Sequence, residues 1–144
     1  MIRKMTAADA TDVHRILVES LHYACEAAVV RSRIDALDEN ANHIVLVSED
    51  DATGHVVGFI HAERYETLHD AVAGWNVIAL AVLPQMWGHG IGKALLSVIE
   101  GYAAAVPGSF VRLNSRVERT EAHQFYEHLG YQNSKVQKYF IKRF

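Results

Sequence analysis

The sequence predicts an α/β domain: a mixed, mostly antiparallel sheet flanked by helices. Three observations predict it. Short runs rich in β-branched residues alternate with longer stretches whose apolar residues recur at helical spacing. These segments follow one another in the order β-α-α-β-β-β-α-β-α-β-β, which gives mainly hairpin neighbours and one parallel crossover. The length, 144 residues, is near the commonest domain size, so residues 1–144 are expected to form one domain.

Each element has its own signal. Ile2 to Met5 reads as an opening strand, and Thr6 as a helix N-cap with Asp9 in the first turn. Val13, Ile16, Leu17 and Leu21 then line one helical face. A second helix is expected from about Ala28 to Leu37. His43-Ile44-Val45-Leu46-Val47 and the stretch from Val56 to Tyr65 read as strands joined at Asp50-Asp51-Ala52-Thr53-Gly54. A turn near His69-Asp70 precedes a strand from Trp75 to Val82 that closes at Pro84. The clearest helix follows, with Ile91, Ala94, Leu95, Val98, Ile99, Tyr102, Ala103 and Val106 as its apolar stripe and Pro107-Gly108 as its stop. Phe110 to Ser115 reads as a strand. The helix from about Thr120 presents Ala122, Phe125, Tyr126 and Leu129, and Gly130 stands as its C-terminal glycine. Two short strands, near Tyr131-Gln132 and from Val136 to Phe144, are expected to finish the chain. Such a final pair can exchange between two copies, which leaves a homodimer open.

Composition narrows the function. Half the residues are hydrophobic and 22% are charged, with a formal net charge of −3. No basic block tracks a phosphate backbone, so nucleic acid is not an expected partner. No apolar run approaches the roughly 20 residues that span a bilayer, and no signal peptide follows Met1, so the expected location is cytoplasmic with no membrane partner. Cys25 is the one cysteine; among Ala24, Ala27 and Ala28 it reads as a packing residue in a helix. The nine histidines follow no metal-ligand spacing and read as scattered surface residues, so no metal is expected.

The turn Gly88-His89-Gly90-Ile91-Gly92-Lys93 lies between a strand and the long helix. The first N–H groups of a helix lack internal partners and its dipole favours negative charge there, so this turn suits an anion. Glycines let the backbone approach a bulky diphosphate, and Lys93 adds a cation. Two other phosphate motifs fail on particular residues. A dinucleotide fingerprint needs glycine where Lys93 stands, and a triphosphate loop needs glycine at Trp87 and a hydroxyl at Ala94. A tight turn with no ligand remains the alternative from local pattern alone.

The stretch from Leu80 to Leu96 resembles the acetyl-CoA motif of the GNAT N-acetyltransferases. The later stretch from Glu121 to Tyr131 is similar to that family's helix-and-strand signature. This resemblance implies a GNAT-like fold with splayed central strands and acetyl-CoA as cosubstrate. It implies that the backbone at Leu80, Ala81 and Val82 meets the pantetheine arm, and that Gly88, His89, Gly90, Ile91, Gly92 and Lys93 hold the pyrophosphate. The family usually has Gln or Arg immediately before the first glycine; Trp87 replaces it here, and of its two readings, covering part of the coenzyme or packing on the neighbouring helix, packing is the favoured one.

Acetyl transfer needs a neutral amine, and at pH 7 only about one in a thousand lysine-like amines is neutral. A base is therefore useful, as are a backbone N–H near Val82 to polarise the carbonyl and an acid for the thiolate. The resemblance places Tyr126 at the coenzyme sulfur, and a phenol stays protonated at neutral pH. The base is less legible. The acids that relatives carry correspond to Ile78 and Asn114, neither of which accepts a proton usefully. Glu63 leads among the replacements, ahead of His22, Glu26 and His61, because its strand should neighbour the splayed one. Arg116, Arg119, Lys138, Lys142 and Arg143 put positive charge late in the chain, suited to a coenzyme phosphate or an acidic substrate group. The expected activity is N-acetylation of a primary amine on a small molecule. A protein N-terminus or lysine is the alternative acceptor, and a non-catalytic acyl-CoA sensor or a nucleotide-binding regulator the alternative class.

Overall fold

The computed structural model describes residues 1–144. Met1–Leu113 form one compact unit and Asn114–Phe144 a second. The first unit holds β1 (Ile2–Lys4), α1 (Ala10–Leu21), α2 (Ala27–Leu37), β2 (His43–Glu49), β3 (Val56–Tyr65), β4 (Gly74–Val82), α3 (Ile91–Ala104) and β5 (Val111–Leu113). The five strands lie in sequence order in a single sheet. The first three junctions are antiparallel and β4 pairs with β5 in parallel, as the crossover through α3 requires. The predicted mixed sheet is therefore present.

The entry to α1 is fixed by one carboxylate. Asp9 is only 7% exposed. It accepts the Thr6 backbone N–H at 2.8 Å and two guanidinium N–H groups of Arg3 at 2.9 and 2.8 Å. Arg3 also donates Nε to Glu49 at 2.8 Å, so β1, β2 and the start of α1 share one charged cluster. Burial alone would raise the Asp9 pKa, but the bonds from Arg3 and Thr6 outweigh it and hold the group below its ordinary value. At the other end of α1, His22 adopts a left-handed conformation at φ 58° and stops the helix. Cys25 consequently sits in the connection to α2, not in a helix as expected. It packs partly buried against the core, and its carbonyl accepts His14 Nε2 at 2.7 Å.

Both faces of the sheet are covered. Met5, Val47, Val57, Phe59, Ala81 and Leu83 form one core with Val13 and Ile16 of α1 and Val30 and Ile34 of α2. On the opposite face α3 packs on β3 and β4, with Leu95, Leu96 and Ile99 fully buried. Between β3 and β4 the register advances from His61↔Ala79 to Ala62↔Val77, so Ile78 is an extra, unpaired residue: a β-bulge.

In the second unit, α4 (Thr120–His128) ends in a full glycine-capped turn. Gly130, at φ 93°, donates to Glu127 at 3.0 Å, and Tyr131 donates to Tyr126 at 3.0 Å. The two strands expected after it are absent, since residues 129–144 contain no helix or strand. Strand-forming residues make a strand only when they pair with another, and the sheet contains no strand after β5. Val136, Tyr139, Phe140 and Phe144 stay largely exposed.

Candidate functional site

The bulge and a short β5 leave one edge of β4 open. Leu83 N–H donates to Val57 at 2.8 Å, which makes Val57 and Leu83 a hydrogen-bonded pair. In an antiparallel ladder the next residue pair then points its N–H and C=O groups outward, and the pattern alternates. Leu80 and Val82, opposite Ile60 and Gly58, thus face away from β3, whereas Ala81 faces Phe59. The outward side is where β5 would lie, but β5 pairs only with Trp75, Asn76 and Val77. From Ile78 to Val82 the backbone edge has no partner strand.

The glycine turn continues from this edge. Pro84–Met86 form a single tight turn, and α3 begins at Ile91 with Gly90 as its N-cap. Gly88 and Gly90 have φ of 82° and 77°, a region that suits glycine, and only open space lies where a Cβ would project from either. No side chain caps α3, so its first N–H groups face that space. His89 turns back, its Nδ1–H donating to the carbonyls of Met86 and Trp87 at 3.0 and 3.1 Å. Lys93 is exposed on the first turn of the helix. Trp87 stands beside both β4 and α1, since Ser20 of α1 donates at 2.9 Å to the same carbonyl as its indole. It is 58% exposed, and its indole N–H donates to the Val82 carbonyl at 2.8 Å.

A polar row crosses the α1/α2 face of the sheet. His43, Glu63, Asn76 and Arg112 are successive register partners on β2, β3, β4 and β5. Arg112 Nη1 donates to Asn76 Oδ1 at 2.8 Å, and Asn76 Nδ2 donates to Glu63 Oε1 at 3.0 Å. The Arg112 guanidinium also lies 4.6 Å from the centre of the Tyr65 ring. His61, two residues before Glu63, shares a proton with His43 across 2.9 Å. Burial, helped by His43, pulls the His61 pKa down to about 4, so its ring is neutral at physiological pH. Among the other base candidates, His22 and Glu26 are exposed. Ile78 projects from the bulge, also exposed.

Tyr126 lies in the second unit, half-buried on α4. Its ring meets Phe125 and Tyr131 edge-on at 5.1 and 5.9 Å. Burial raises the phenol pKa above its ordinary value, and the charge of Arg119 opposes that in part. Tyr126 is therefore fully protonated at neutral pH.

Residues 41–133 match the model of the acetyltransferase (GNAT) domain. The chain belongs to the GNAT acetyltransferase family. It is 30% identical over 135 residues to an aminoalkylphosphonate N-acetyltransferase of Salmonella typhimurium, covering 92% of this chain and 85% of that protein. Among solved structures it resembles a transcriptional regulator of Bacillus halodurans, with TM-score 0.87, 17% identity and 99% of both chains covered. It also resembles an aminoglycoside 6'-N-acetyltransferase of Acinetobacter haemolyticus, with TM-score 0.80, 16% identity and coverage of 100% and 99%. These two likenesses speak for the fold. The GNAT chain is an acyltransferase enzyme of a family that uses acetyl-CoA as cosubstrate.

The first unit thus joins the open β4 edge, the glycine turn and Glu63 in one sheet-and-helix frame. Sequence reasoning singled out those three but missed Asn76, Arg112 and the pairing of His43 with His61. A signal existed for His43. Counting symmetrically outward from the turn at Asp50–Gly54 brings His43 to His61, its hydrogen-bond partner; its register partner is Glu63 because Glu49 lies opposite Val56 and the register shifts again after Ser48. No comparable signal marks Arg112, because its register depends on the crossover through α3.

Proposed function

We propose that this GNAT chain transfers the acetyl group of acetyl-CoA to a primary amine on a small molecule, with residues 1–144 acting as one acetyltransferase domain. The observation that carries this reading is the continuity of the unpaired β4 edge with the glycine turn and the uncapped start of α3. The β4 edge suits the amides of a pantetheine arm, which add to it as a strand would. The turn suits a pyrophosphate, through the N–H groups at Gly88, His89, Gly90, Ile91 and Gly92 and the charge of Lys93. Because Ala81 spends its backbone on Phe59, the arm is assigned to Leu80 and Val82, with Ala81 contributing its place in the ladder.

The bound thioester brings an activated acetyl group; the protein's residues supply the rest. Glu63 is the proposed base. One oxygen is held by Asn76, while the other carries no hydrogen bond and is available to an ammonium or a bridging water. An outward N–H of the β4 edge polarises the acetyl carbonyl as the amine nitrogen attacks it. As the C–N bond forms and the C–S bond breaks, Tyr126 gives its phenolic proton to the departing thiolate. The proton lost by the amine restores Tyr126 through solvent. Tyr126 and Glu63 thus divide acid and base work, with burial keeping the Tyr126 phenol protonated.

The curated relative acts on aminoalkylphosphonates, and Arg112 places a cation two strands from Glu63 on the same row. Short amines carrying a phosphonate or another acidic group are therefore the proposed acceptors. The test is thiol release from acetyl-CoA across a panel of aminoalkylphosphonates, amino sugars, aminoglycosides and peptide amines. Fastest turnover on the acidic small amines supports the reading. Turnover confined to peptide N-termini or lysines overturns the small-molecule assignment, and calorimetric acetyl-CoA binding without turnover on any amine overturns catalysis.

A further inference from the structure

The position before Gly88 holds a tryptophan whose indole is fixed in place yet left in solvent. The Val82 carbonyl that receives its N–H at 2.8 Å also accepts the Ser20 hydroxyl at 2.9 Å. Two donors satisfy both lone pairs of that oxygen. Ser20 alone would have satisfied the carbonyl, and water would have satisfied an exposed indole N–H. The extra bond therefore does little for stability and settles where the ring lies. Since the Val82 carbonyl points outward from β3, the indole tethered to it lies along the unpaired edge of β4. Its N–H is fixed at the Val82 end of that edge, and its backbone leads directly into the turn that starts at Gly88.

We propose that Trp87 is a coenzyme-contact residue, its tethered indole forming the apolar wall against which the pantetheine arm of acetyl-CoA turns from the β4 edge into the glycine turn. The inference rests on the coenzyme reading above and adds a residue and a constraint to it. The ring supplies a rigid apolar surface at low entropic cost, because two torsions and one hydrogen bond fix it. The constraint is that the Val82 carbonyl is unavailable to the ligand. Pantetheine amides then have the Leu80 N–H and C=O and the Val82 N–H to pair with, and the arm must leave the edge at Val82. A side chain without a ring at position 87 would free that carbonyl and remove the wall together.

The chain has two tryptophans, so in a Trp75→Phe variant excited at the red edge of the indole band, where tyrosine does not absorb, only Trp87 emits. This variant is titrated with coenzyme A and with ADP while binding is measured independently by calorimetry. The expected result is a saturable change in emission with coenzyme A, at the concentration calorimetry gives, and a markedly smaller change with ADP, which lacks the arm. Calorimetric binding of coenzyme A with silent emission overturns the inference and leaves the coenzyme reading standing. Absence of calorimetric binding overturns both. In the otherwise intact chain, Trp87→Ala is expected to raise KM for acetyl-CoA about tenfold, the order expected for losing a buried ring face, with the acceptor KM unchanged. Trp87→Phe keeps a ring but loses the tether and is expected to recover part of that loss. Equal acetyl-CoA KM values in all three proteins overturn the inference independently of fluorescence.

Discussion

Replacing Gly90 by alanine separates two roles that one residue plays at the start of α3. Its φ of 77° and ψ of 6° lie in the left-handed region. Forcing a residue with a Cβ into that region costs about 1–2 kcal/mol. No neighbour adds to this, because the Cβ would project into open space. The smaller entropy of an unfolded chain containing alanine returns about 0.4–1 kcal/mol. Gly90→Ala should therefore destabilise the protein by about 1 kcal/mol, or about 2–4 °C in Tm for a chain of this size. Asparagine tolerates the left-handed region and makes a good N-cap, so Gly90→Asn should stay within about 0.5 kcal/mol of the parent. Both substitutions put a side chain where a pyrophosphate would approach, and both should weaken acetyl-CoA binding by about tenfold or more. Urea midpoints at constant m-value report stability, and calorimetry reports binding. At an ordinary helical position Gly→Ala stabilises by about 1 kcal/mol. A Gly90→Ala variant more stable than the parent would refute the backbone argument outright. A Gly90→Asn variant that binds acetyl-CoA as tightly as the parent would refute the proposed use of the turn.

Two further expectations follow from the ionisable groups. His61 has its pKa lowered to about 4 in the fold, against about 6.5 in the unfolded chain, so the unfolded state takes up the extra proton between those values. Its contribution is full above pH 6.5 and is lost as pH falls toward 4; solvent at this half-buried site limits it to about 1–2 kcal/mol. The groups facing it are His43 on β2, Glu63 on its own strand and Arg33 on α2. His61→Gln should flatten the stability-versus-pH curve in that window, and superimposable slopes for the two proteins would count against the assignment. Tyr126→Phe should lower kcat by about tenfold or more with the coenzyme Kd unchanged, and an unaltered kcat under rate-limiting chemistry would remove Tyr126 from the mechanism.

Elements set by local chemistry were legible in the sequence. The apolar stripe of α3, the β2–β3 hairpin and the glycine exit at Gly130 depend on residues within one turn of each other. The glycine turn was readable for the same reason. Interactions set by register were not. The outward direction of Leu80 and Val82, and the inward direction of Ala81, follow from which pair of the β3–β4 ladder is hydrogen-bonded. The anchor of Trp87 was not legible either, because its partner is a backbone carbonyl, which no side-chain pattern announces. His22 misled in another way: a non-glycine residue in the left-handed region broke what read as continuous helical composition around Cys25. The tail from Val136 to Phe144 has the composition of a strand, but strand formation is a property of a pair.

The bulge at Ile78 acts on β4 as an inserted letter acts on a reading frame. On either side of it the parity of the strand changes: Asn76 faces the same side as Ala79 and Ala81, where an unbroken strand would have set it on the other. Upstream letters therefore spell the polar row, and downstream letters spell the apolar core under α1. Point changes at Ile78 alter one exposed side chain. Deleting it would remove the inserted letter: Ala79 would stay opposite His61 and Val77 opposite Ala62, so Asn76 would keep its place beside Glu63 in a straight, regular strand. What Ile78 adds is thus the bend of β4 and not the facing of Gly74 to Val77, which a strand one residue shorter would spell in the same way.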